Sequence, residues 1–152
     1  MTARTVRLLL LGGLVVGVID ALDAVVFFGL RGVAPARIFQ SIAAGLVGRS
    51  AFQSGTGVVA LGVVLHFVVA LLIVITCYLM SGVLRILIDR PWICGPIFGV
   101  GAYGVMNYVV IPLSATRAGA FAWPVFLNGI GIHMAGIGLP SALFARAARS
   151  TQ

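Results

Sequence analysis

Only three carboxylates and two histidines occur among the 152 residues, and four of these five groups fall inside long apolar stretches. Asp20 and Asp23 interrupt the run Leu8 to Leu30, His66 and His133 sit within two later runs, and a further run carries Asn107. An ionisable group inside a membrane costs several kcal/mol unless it is paired or hydrated, so each of these positions is a candidate functional residue.

Three chemistries suit the set. Carboxylates on one helix near imidazoles on two others make a proton or cation relay, because imidazole titrates near neutral pH. Asp20, Asp23, His66 and His133 also offer oxygen and nitrogen ligands suited to zinc, iron or manganese. His66 and His133 alone could ligate a haem from both faces. Against these stands a purely structural role, since interhelical hydrogen bonds in membranes contribute about 0.6 kcal/mol each and up to about 1.7. That role suits Asn107 and His133. It suits Asp20 and Asp23 less, because two carboxylates one turn apart repel when both are ionised and need a proton or a cation. Arg31 or Arg37 is placed to supply that cation. The sequence requires no cofactor.

The elements that must carry these groups follow from composition. Hydrophobic residues make up 61% and charged residues 9%, against roughly 25% charged in soluble domains, which marks an integral membrane protein. A span needs about 20 residues to cross a hydrocarbon core of about 30 Å. The chain therefore holds four spans, read as about 8–30, 56–83, 92–113 and 124–144, in a single all-α transmembrane domain. Trp92 and Trp123 stand at span starts, where indoles favour the interface. Arg4 and Arg7 before an apolar run imitate a signal peptide, but no small-residue cleavage site follows and Asp20 and Asp23 interrupt, so the first span is expected to be retained.

The net charge of +7 comes from ten arginines scattered at span ends. No soluble basic face remains for nucleic acid, and the arginines read as topology and headgroup anchors in a lipid bilayer. Arg4, Arg7, Arg85, Arg90, Arg146 and Arg149 belong to one side, Arg31, Arg37, Arg49 and Arg117 to the other, which places both termini in the cytoplasm. Cys77 and Cys94 lack metal or redox spacing and read as buried, inert thiols.

The first connection is too long for a plain turn. Ile38, Phe39, Ile42 and Leu46 recur at helical spacing, which predicts a short interfacial or re-entrant helix over about 36–49. Counting inward at 1.5 Å per residue puts Asp20 and Asp23 roughly 15 and 10 Å deep, and His66, Asn107 and His133 roughly 15, 9 and 12 Å deep. All five share one layer. Small-residue ridges point them inward: Gly13, Gly17 and Asp20; Gly62, His66 and Ala70; Gly129, His133, Gly136 and Pro140.

Gly17-Val18-Ile19-Asp20 echoes Gly104-Val105-Met106-Asn107, and the Gly62-to-His66 spacing recurs as Gly129 to His133, which predicts a parallel duplication of a two-helix hairpin with the site at its junction. Catalysis finds little support: there is no nucleophile elbow, phosphate loop or HExxH pattern, and Ser41, Ser54 and Ser114 have no base nearby in sequence. A non-catalytic alternative is an accessory subunit of a membrane complex or a homo-oligomer, its Gly13/Gly17 and Gly95/Gly99 ridges docking partner helices.

The set Gly17-xx-Asp20, Gln40-Ser41-Ile42-Ala43-x-Gly45-xx-Gly48-Arg49, His66-Phe67, Met106-Asn107-Tyr108-xxx-Pro112-Leu113 and His133 with Gly138-Leu139-Pro140 resembles a family of small bacterial four-helix inner-membrane proteins. The resemblance spans most of the chain and implies that architecture and location. It carries over no activity and no functional residue.

Overall fold

A computed structural model describes residues 2–116 and 119–150; Arg117 lies outside them. Among the described residues there is no strand, and four helices are long and apolar enough to cross a membrane: Ala3–Gly29, Thr56–Met80, Pro91–Leu113 and Trp123–Arg149. These are the first to fourth spans. They hold 23 to 27 residues, or about 35 to 40 Å at 1.5 Å per residue, somewhat more than the hydrocarbon thickness.

The span ends differ from the hydropathy limits for local reasons. The Thr2 hydroxyl accepts a hydrogen bond from the Thr5 amide at 3.2 Å, and this cap starts the first helix before the apolar run, taking in Arg4 and Arg7. The fourth span continues to Arg149 because Ala142, Ala145 and Ala148, all fully buried, present a small-residue face that packs against its neighbours. The second span stops at Met80, where the chain turns and the Ser81 hydroxyl donates to the Tyr78 carbonyl at 2.7 Å.

Glycines set the helix contacts. A Cβ at Gly13 would meet Leu71 and one at Gly17 would lie 2.5 Å from the Phe67 ring, so the first span packs antiparallel against the second at close range. Between the third and fourth spans the main chains themselves touch, Gly99 against the His133 carbonyl and Gly138 against the Gly95 carbonyl. The Gly13/Gly17 and Gly95/Gly99 ridges are thus filled within the chain. The fourth span is the hub, packing on the first, second and third.

Burial is uneven along the first, third and fourth spans. Leu9, Val16, Val74, Cys77, Tyr78, Ala142, Ala145 and Ala148 form the apolar core, at the end of the bundle that carries both termini. Beyond Gly17 in the first span and Gly99 in the third, and before Gly136 in the fourth, no described residue of those spans is fully buried. At the opposite, loop end the buried residues are those of the second span and the segment packed on it, Ile38, Ala43, Ala44, Ala51, Gly62 and His66.

A further helix, Pro35–Val47, lies in the first connection. Pro35 opens it, and Gly48, at φ 75°, ends it in a left-handed conformation that glycine alone adopts readily. The Phe39 main chain rests on Gly62, while Ala43, Ala44 and Ala51 pack on Val58 and Leu61. As the helix advances, its partners on the second span recede towards Thr56, so the two run antiparallel. The Ala115 amide donates to the Gly45 carbonyl at 2.8 Å and ties this helix to the end of the third span.

The third and fourth spans each widen into a π turn, Met106–Val110 and His133–Gly138. In both, the residue before a proline bonds five residues back: the Ile111 amide to the Met106 carbonyl, and the Leu139 amide to the Met134 carbonyl. Pro112 and Pro140 have no amide to donate, and their rings would strike the carbonyl four residues back in a regular helix. The wider turn relieves that crowding and re-aims the side chains around it.

Candidate functional site

The first helix presents Asp20 towards the second span. Its Oδ2 lies 3.9 Å from His66 Nδ1, with the carboxyl side chain 29% exposed and the imidazole 10% exposed. Opposite, His66 Nε2 donates to the Gly17 main-chain carbonyl at 2.8 Å. A carbonyl only accepts, so Nε2 carries the hydrogen and Nδ1 is the nitrogen left to gain or lose a proton on the Asp20 side. The bare Cα of Gly17 is what lets the helices come close enough for this bond. Phe67 and Phe39 pack edge-on to the imidazole, at 5.3 and 6.3 Å between ring centres, and hold its plane.

Asp23, three residues on, faces the fourth span instead. Its Oδ2 accepts a hydrogen bond from Asn128 Nδ2 at 2.7 Å. The amide supplies a donor without bringing a charge, which partly compensates the second carboxylate. Neither Arg31 nor Arg37 plays the expected part: Arg31 donates to the Phe27 carbonyl and stacks on the Phe27 ring, and Arg37 donates to the Phe52 carbonyl. Both guanidiniums stay at the loop end because local carbonyls and rings satisfy them there.

His133, at the start of its π turn, donates from Nδ1 to the Gly129 carbonyl at 2.9 Å and packs edge-on to Tyr103 at 5.2 Å. Asp20 interacts electrostatically with His66, His133 and Asp23, so these four groups share one electrostatic neighbourhood. Asn107 stands apart. Its amide nitrogen donates to the Tyr103 carbonyl of its own helix at 3.0 Å.

The positions paired by the internal echo make different contacts. Gly62 meets the connecting helix whereas Gly129 meets the Tyr103 ring, and Asp20 faces an imidazole whereas Asn107 bonds within its own span. Among the described residues the connecting helix has no counterpart between the third and fourth spans, and the contacts of the two hairpins differ. Among the described residues no three His, Cys, Asp or Glu side chains come together as a metal-ion donor set. Asn128 and the Gly17 carbonyl are the partners that sequence reasoning missed. A polar amide between Leu127 and Gly129 in an apolar run was the available signal for the first; the second, a main-chain atom, left none.

The fold and this cluster define a four-span helical membrane protein with ionisable groups set between its spans. The chain matches no protein-family model, no curated protein and no solved structure.

Proposed function

We propose that this is a proton-handling membrane protein whose titrating centre is the Asp20–His66 pair, with His133 as the next acceptor and the Asp23–Asn128 bond as a support beside it. The observation that carries the reading is the commitment of His66 Nε2 to the Gly17 carbonyl while Nδ1 faces Asp20 at 3.9 Å. At that separation one water or a small side-chain rotation completes the link. A proton held by the Asp20 carboxyl then passes to Nδ1, leaving carboxylate and imidazolium. His133, its Nδ1 tied to Gly129, offers Nε2 for the next transfer.

Sparse burial in the loop halves of the first, third and fourth spans supports water entry from that side, and the apolar core of the other half supports a barrier on the far side. Six of the ten arginines flank the terminal end, which favours cytoplasmic termini in a bacterial inner membrane. On this reading the helix Pro35–Val47 is re-entrant and lines the way in beside His66. The rival accessory role has less support, because both glycine ridges expected to dock a partner are occupied within the chain.

The test is proton movement into proteoliposomes under an imposed potassium-diffusion potential, read by an entrapped pH-sensitive dye. The native chain should acidify the lumen faster than empty vesicles, and Asp20→Asn and His66→Ala should reduce the rate to that of empty vesicles. A native rate equal to the empty-vesicle rate rejects the proposal.

A further inference from the structure

The third span packs on the fourth and leaves a groove of about 730 Å³ between itself and the second. Val69, Ile73, Met80, Ile97, Phe98 and Met106 are among its walls, which are apolar almost throughout. The second-span wall runs about 17 Å from Met80 to Val69 and the third-span wall about 24 Å from Cys94 to Val110, at 1.5 Å per residue. A groove of that length and polarity takes an acyl chain, and its mouth decides between that and other apolar occupants.

The mouth of the groove has the charge that such a chain's headgroup would meet. Leu84 and Ile86 line the mouth and flank Arg85, and Arg90 precedes the lining residue Cys94 by one turn. Both arginines are exposed, and neither side chain has an intrachain partner among the described residues. Asp89 shares the turn and leaves it one positive charge in excess. Arg149, held by Ser81 and the Tyr78 carbonyl at 2.8 and 2.9 Å, adds a further positive charge beside Gly82.

We infer that this groove is a phospholipid site, taking one acyl chain of an anionic lipid from the leaflet at the terminal end with the headgroup phosphate at Arg85 and Arg90. The site is separate from the Asp20–His66 pair and does not depend on its function.

Trp92 stands two residues before Cys94, and Trp123 lies at the other end of the bundle, so each can report alone. In W123F, reconstituted in phosphatidylcholine vesicles, acyl-brominated phosphatidylglycerol should quench Trp92 at least about fivefold more effectively than acyl-brominated phosphatidylcholine at equal mole fraction, the size expected of the one net positive charge on the Arg85–Arg90 turn alone. R85Q/R90Q should abolish the preference, as should high salt in W123F if the double variant does not fold. W92F, reporting from Trp123, should show none. Equal quenching of Trp92 by the two lipids overturns the inference. So does copper-catalysed disulfide dimerisation through Cys94 in dilute vesicles, which would give the groove to a second copy.

Discussion

Asp23 and Asn128, 105 positions apart, are joined by a 2.7 Å hydrogen bond between the first and fourth spans. This bond separates the two carboxylates chemically although they sit one turn apart on one helix. Asp20 is left to face an imidazole, while Asp23 is held by a neutral donor. Asymmetry of this kind lets one acid titrate against its partner while the other keeps its place.

Replacing Asn128 with leucine should therefore destabilise the bundle by about 1–2 kcal/mol, since Asp23 loses its donor while remaining partly buried. Asn128→Asp should cost more, because it adds a carboxylate at hydrogen-bonding distance from another. Unfolding in mixed micelles, followed by circular dichroism, measures both. Equal stability of native and leucine forms would mean that water replaces the amide at no cost.

Gly17→Ala should act on packing and site together. The new methyl would sit 2.5 Å from the Phe67 ring, and the helices must separate by a few tenths of an ångström or more, at a cost of about 1–3 kcal/mol. The same displacement pulls the carbonyl away from His66. Gly29→Ala, in the same span with nothing within 4 Å of its Cβ, is the control and should leave stability unchanged or slightly raised. The same micelle unfolding, together with the imidazole nitrogen shifts of His66, separates the two effects.

The readable part of this molecule was the part written in runs. Four apolar stretches long enough for a bilayer can only be helices, because lipid offers no partner to unpaired main-chain groups, and polar residues inside them announce themselves. Counting along each helix gives Asp20, Asp23, His66, Asn107 and His133 similar expected depths, and Asp20 Oδ2 does lie 3.9 Å from His66 Nδ1. Pairings decided by register between distant spans were not readable: the partner of Asp23 is 105 positions away, and that of His66 is a main-chain atom. The π turns at Asn107 and His133 depend on how Pro112 and Pro140 are accommodated inside packed helices, which neither hydropathy nor helical periodicity reports. Hydropathy also misplaced helix ends, as at Thr2 and Arg149, where a cap and a run of alanines extend the helix beyond the apolar stretch.

Ser141 gives a prediction of the opposite sign. Its hydroxyl is fully buried and makes no hydrogen bond among the described residues, so it carries a desolvation cost without recompense. Ser141→Ala should be neutral or stabilising by up to about 1 kcal/mol, whereas Ser81→Ala, which removes the acceptor of Arg149 Nε at 2.8 Å, should destabilise by about 1 kcal/mol. Parallel unfolding of the two variants checks the contrast. A loss of stability in Ser141→Ala would point to a partner bound at that hydroxyl.

The two imidazoles should be in opposite tautomers when neutral. His66 gives the hydrogen on Nε2 to Gly17, and His133 gives the hydrogen on Nδ1 to Gly129, because each carbonyl accepts and cannot donate. Nitrogen-15 spectra of histidine-labelled protein in bilayers distinguish the protonated from the bare ring nitrogen, so at high pH His66 should show a bare Nδ1 and His133 a bare Nε2. Asp20→Asn should move the His66 Nδ1 resonance more than the His133 Nε2 resonance, since His66 is the imidazole that Asp20 faces at 3.9 Å. A His66 with a bare Nε2 at high pH would mean that its bond to Gly17 is absent in the bilayer, and the proton route drawn through Nδ1 would fall with it.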